Sequence, residues 1–257
     1  MAKKKFKINK KSDIVVLLFG IICLIVAGYS LFHIITWKQD LKENDKIKSY
    51  LNDNIFVIDS DNENIDNIAY SVDFSKIKDM NSDSVAYLQV NNTNIDYVVV
   101  KGKDNNYYLK HNFEKKYNVA GWVFADYHNR FDETDKNIII YGHNIKDGSM
   151  FGSLINTLDK EWYLNEDNYL ITLVTDMGTY YYQVFSVYSI VPEDYYINTI
   201  FNSDDDFNKF VNVLKKRSIY DFGVDVSGED KILTLSSCIG DGSKRVVLHS
   251  KLVEKAW

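Results

Sequence analysis

The chain has 257 residues, 46% of them hydrophobic and 26% charged. That is enough for one sizeable domain with an appendage, and its composition is that of a folded protein. The net charge of −6 conceals an asymmetry: six lysines and no acid stand in residues 1–11, which leaves 24 basic against 36 acidic residues, a balance of −12, in the other 246. An acidic body argues against nucleic acid as a partner, since phosphate binding needs a concentrated basic face.

The basic stretch, residues 1–13, is expected to be a cytoplasmic tail, because an apolar run follows it without a formal charge: IVVLLFGIICLIVAGYSLFHII, residues 14–35. As a helix that run spans about 33 Å, enough for a hydrocarbon core of roughly 30 Å. A signal peptide has a shorter apolar core and a small-residue cleavage site, and a buried helix is rarely apolar on every face. A retained single-pass anchor is therefore expected, with the lysines inside and residues 36–257 outside the cell. Cys23 lies in this span, so Cys238 is the lone thiol of the outer part. A lone exported thiol is reactive, bridges to another chain, or is buried and inert.

Residues 36–72 read as a polar juxtamembrane helix or stalk, with DSDNENIDN (59–67) as a solvated loop; it lacks the Gly and Glu that a calcium loop needs at its sixth and twelfth positions. From residue 73 to 257 the texture is that of a folded domain. DFSKIKDMN suggests a short helix with Phe74, Ile77 and Met80 on one face. Apolar runs divided by turn residues then predict strands at 84–90, 94–100, 120–126, 137–143, 169–175, 179–191, 231–237 and 245–253. About eight such strands make the domain mainly β, a barrel or a sandwich. One clear helix interrupts them at 204–217, with acids in its first turn and bases in its last, as the helix dipole prefers. Asp204–Asp206 have a structural explanation there and are not read as a metal site.

Two strand ends carry candidate chemistry. His143 follows the apolar run NIIIY and a glycine, where a scaffold strand emerges into a loop. Cys238 ends KILTLSS; by the two-residue period it shares a face with Ser236, Thr234 and Ile232. A thiol among hydroxyls suits a nucleophile better than an oily layer does. Arg245 opens the next strand after six residues, close enough to stabilise a thiolate or an oxyanion, with Lys244 as a rival cation. His249 lies inside a strand and reads as structural, while His111 and His128 read as surface groups. No C-x-x-C, H-x-x-x-H, phosphate-loop or G-x-S-x-G pattern is present, so no metal or cofactor is expected.

Taken together, TLSSC with a nearby Arg, and NIIIYGHNIKDGSMF (137–151) upstream, resemble the sortases, whose pattern is TLxTC followed by an Arg. The likeness is greatest to class B, particularly that of clostridia. MNSDSVAYLQVNNTNIDYVVV (80–100), DNNYYLKHNF (104–113) and GWVFADYHN (121–129) match further family blocks in order, and the helix before the cysteine strand is a class B feature. Ser237 stands where the family has Thr, Val98 where it often has Pro, and the turn from Cys238 to Arg245 is short. The resemblance covers residues 73–253. It implies a sortase β-barrel with N-terminal and inserted helices, and a catalytic set of Cys238, His143 and Arg245. Ser236, Ser237 and Ile239 would then contact substrate. It further implies a transpeptidase of the Gram-positive cell surface, which takes a C-terminal sorting motif of secreted proteins and an amine of a peptidoglycan precursor. The alternatives are a surface cysteine peptidase that uses water, and a non-enzymatic adhesin or receptor.

Overall fold

The computed structural model describes residues 10–58, 70–239 and 242–256; the segment 59–67, read above as a loop, lies outside them, as do Gly240 and Asp241 of the turn after Cys238. Two compact units divide the chain, the first ending at Lys42 and the second beginning at Glu43. Helix α1 runs from Lys10 to Asn54. From Ile14 onward it is long and apolar enough to cross a membrane, and its apolar side chains, such as Leu24 at 74%, stand exposed. The polar sequence after the apolar run is helical as far as Asn54. In the second unit Ile47 and Leu51 of α1 are buried, and Asn44 donates to the Gly121 carbonyl at 3.0 Å.

Strands β1 (Phe56–Ile58) and β2 (Tyr70–Val72) pair antiparallel, which the polar sequence between them does not announce. Helix α2 follows at Phe74–Met80, capped by Asp73, whose side chain accepts from the Lys76 N–H. Phe74 and Ile77 are buried but Met80 is 39% exposed, because six residues along a helix return to a face about 120° away.

The remaining strands are β3 (Ser84–Val90), β4 (Asp96–Val100), β5 (Phe124–Ala125), β6 (Asn137–Gly142), β7 (Leu170–Thr175), β8 (Gly178–Ile190), β9 (Ile232–Ile239) and β10 (Lys244–Ala256). They close into one barrel in the order β10-β8-β7-β3-β4-β5-β6-β9. The eight strands match the expected ones. The strand read at 120–126 shrinks to two residues, since Gly121 takes a φ of +59° and turns the chain just before it. Closure leaves the barrel itself without a free edge strand among the described residues.

Alternation sorts the side chains. Leu233 and Leu235 of β9 and Val246 and Leu248 of β10 join the barrel interior, while Ile232 and Val247 face an outer layer. That layer is supplied by α4 (Asp204–Arg217), whose start Ser203 caps by accepting from the Asp206 N–H at 3.1 Å. Phe207, Phe210, Val211 and Leu214 recur at helical spacing and are all buried; each contributes on the order of 1.5–3 kcal/mol. The helix α3 (Lys160–Tyr163) and several single 3-10 turns complete the unit. One of those turns, Tyr195–Ile197, lies between β8 and α4.

Candidate active site

Three neighbouring strands bring the candidate residues together. β6 and β9 run parallel, with Gly142 opposite Ser237, so His143 and Cys238 are the next residues on adjacent strands. β9 and β10 run antiparallel, with Cys238 opposite Arg245 and Ile239 opposite Lys244. Adjacent strands lie about 4.8 Å apart. His143, Cys238 and Arg245 therefore form one row across the end of the barrel.

A cleft of about 410 Å³ opens there, with His143 and Arg245 both in its lining. Gly142, Tyr141, Phe124, Leu109 and Asn105 form one wall; Ser236 and the segment from Pro192 to Asp194 with Tyr196 and Ile197 form the rest. The Ser236 hydroxyl is 3.1 Å from the Tyr196 hydroxyl, which ties the cysteine strand to the turn before α4. Ser237 faces the other way. It is 1% exposed, its hydroxyl has no hydrogen-bond partner among the described residues, and it is not part of the cleft wall. Of the two serines, only Ser236 is in a position to meet a ligand through its side chain.

The loop after β6 fixes His143 from both sides. Its carbonyl accepts from the Phe151 N–H at 2.9 Å, and Nε2 lies 2.8 Å from the Leu109 carbonyl. A carbonyl can only accept, so Nε2 carries a proton and Nδ1 is the nitrogen left for proton exchange. Gly142 makes room for this arrangement: a Cβ there would come within 2.5 Å of the Phe151 ring. The Arg245 guanidinium donates to the Gly242 carbonyl at 3.1 Å. Lys244 is exposed and does not line the cleft.

The other histidines are differently placed. His249 is fully buried between the Tyr188 hydroxyl (2.9 Å) and the Thr234 hydroxyl (2.8 Å). Burial first, and the Arg217 charge second, lower its pKa to about 3. His111 is half-buried and stacks on Tyr107. His128 is exposed, yet its Nδ1 lies 2.8 Å from the buried Asp126 carboxylate. Tyr141 also reaches Asp126, at 2.8 Å; burial and then the Asp126 charge push its pKa well up, so it remains a phenol donor. Asp194 and Tyr196 escaped sequence reading because no local motif marks the turn between β8 and α4. Asn105, Asp126 and Tyr141 stood inside the quoted blocks 104–113, 121–129 and 137–151, but nothing local singled them out.

The sequence model of the sortase domain family matches residues 88–253. The chain belongs to the sortase family. Its class is B. It is 36% identical over 241 residues to sortase B of Listeria monocytogenes, covering 90% of this chain and 95% of that one. Among solved structures, sortase B of Bacillus anthracis in complex with AAEK1 superposes with a TM-score of 0.74 at 32% identity, over 84% of this chain and 99% of that one. A Staphylococcus aureus sortase B–substrate complex gives 0.67 at 32% identity, over 71% and 85%. Membership makes this protein an enzyme, a cysteine transpeptidase of the class that acts on sorting-motif substrates. The β-barrel and the helix before the cysteine strand are those of the class B sortase fold.

Proposed function

We propose that Cys238 is the nucleophile of an acyl transfer in two halves. Its thiolate attacks the carbonyl carbon of the scissile peptide bond in a sorting motif, and the C–N bond breaks as His143 gives a proton from Nδ1 to the departing amine. A thioester on Cys238 results. An amine of a peptidoglycan precursor then attacks the same carbonyl, His143 takes the amine's proton, and the thiolate leaves. The secreted protein ends joined to the wall by an amide. The Arg245 guanidinium stabilises the oxyanion of both tetrahedral intermediates, with backbone N–H groups near Ile239 assisting.

The observation that carries this reading is the register itself: the residue after Gly142, the residue after Ser237 and the residue opposite it on β10 fall in one row beside a cleft. An imidazole whose Nε2 is held by Leu109 has its other nitrogen free for proton transfer. The cleft that His143 and Arg245 line is then the peptide site. The apolar part of α1 serves as the anchor, with the preceding lysines in the cytoplasm and the barrel outside.

The full chain in detergent micelles, mixed with a panel of fluorescent sorting-motif peptides with and without triglycine, tests the proposal. A product heavier by the added amine indicates transfer, and a purely hydrolytic product with triglycine present indicates a peptidase. Cys238→Ala should abolish both products; turnover surviving in that variant ends the reading.

A further inference from the structure

Asp126 is the only buried carboxylate among the described residues, 2% exposed at the end of β5. No lysine or arginine among them pairs with it; the one group that could pair with it as a cation is His128. A buried carboxylate is costly unless its lone pairs are hydrogen-bonded, so its partners show what the site gains from keeping it. One oxygen, Oδ1, accepts from the His128 backbone N–H at 3.0 Å and lies 2.8 Å from the His128 ring Nδ1. The other, Oδ2, accepts from the Asn105 amide at 2.7 Å and from the Tyr141 hydroxyl at 2.8 Å. Those last two side chains stand on the cleft wall with His143 and Arg245. Asp126 itself does not touch the cleft.

The geometry fixes what Asn105 and Tyr141 can offer. The Asn105 Oδ1 accepts from the Tyr127 N–H at 3.0 Å, so the amide cannot turn over without losing two bonds. One of its N–H groups is spent on Asp126 and the second is left over. Tyr141 spends its only proton on Asp126, which leaves its oxygen as an acceptor. The wall therefore presents one fixed donor and one fixed acceptor, the complement of the C=O and N–H of a peptide main chain.

We propose that Asp126 is a positioning residue that presets Asn105 as donor and Tyr141 as acceptor for the main chain of the peptide substrate. This rests on the reading of the cleft as the peptide site. Only a group that accepts at both oxygens can hold this arrangement. In Asp126→Asn, whichever way the new amide is turned, its NH2 meets either the His128 backbone N–H or the paired donors of Asn105 and Tyr141.

The test uses the full chain in micelles and the panel peptide that the parent cleaves fastest. Asp126→Asn should raise KM and lower kcat/KM by roughly tenfold or more, the scale of an unpaired buried donor. Alkylation of Cys238 by iodoacetamide, followed by mass at its own peptide, should proceed at the parent rate. Tyr141→Phe should also raise KM, and the double variant should be no worse than the weaker single one, because both act through one network. A kcat/KM within about threefold of the parent overturns the proposal, as do effects that multiply in the double variant or alkylation that slows in parallel. Should Asp126→Asn fail to fold, Asn105→Ser and Tyr141→Phe carry the test, and an unchanged KM in both overturns it. Cleavage that survives Cys238→Ala refutes the thioester chemistry instead, and the KM comparison still decides the role of Asp126.

Discussion

Gly121 joins the fold to the chemistry more directly than its place in a turn suggests. Its φ of +59° lies in the left-handed region, and a Cβ there would come within 2.4 Å of the Tyr108 carbonyl oxygen and 2.8 Å of the Leu109 carbonyl oxygen. The Leu109 oxygen is the one that holds His143 Nε2. Gly223 provides a control, because its φ is +66° but nothing lies within 4 Å of the position a Cβ would take. Gly223→Ala should cost only the left-handed conformation, about 1–2 kcal/mol, a Tm fall of roughly 2–8 °C. Gly121→Ala carries the same cost plus the displacement of two backbone carbonyls, about 1–3 kcal/mol more. Thermal melts of both variants in micelles measure the stability, and peptide turnover well below either Tm measures the site. Gly121→Ala should melt lower and lose activity even while folded, since Leu109 can no longer orient the imidazole; Gly223→Ala should keep parent turnover. Equal melting and equal turnover in the two variants would refute the link between Gly121 and His143.

Two further outcomes follow from buried polar groups. The folded pKa of His249 lies below its unfolded value of 6.5, at about 3, so the unfolded chain binds the extra proton and stability falls as pH drops from about 6.5 toward 3. Between pH 7 and 5 this removes about 2 kcal/mol; urea midpoints for the parent and His249→Gln should show the variant less stable at pH 7 but with a smaller loss on acidification, and an undiminished loss would count against it. Ser237 buries a hydroxyl without a partner, so Ser237→Ala should leave Tm unchanged or raise it slightly, while a fall of several degrees would mean that the hydroxyl is engaged.

Sequence and structure divided the information along a physical line. Periodicity and end signals act locally, so the existence and order of the eight barrel strands and the helix at Asp204–Arg217 were legible, the helix from its acids, its bases and its spacing of Phe207, Phe210, Val211 and Leu214. The ordered family blocks pointed to class B before any fold was in view, and His143, Cys238 and Arg245 with them. What alternation could not reveal was which strands become neighbours. The pairing of β6 with β9 joins residues nearly a hundred positions apart, and it alone sets His143 beside Cys238. Local spacing misled at Met80, which turns out to solvent, whereas at Ser237 the alternation that puts Leu233 and Leu235 inside also turns the side chain into the barrel, away from the substrate contact the resemblance implied. Asn105, Asp126 and Tyr141 stood in three of the quoted blocks, yet only the fold, with β5 paired to β6, brings one buried carboxylate within hydrogen-bond reach of both partners.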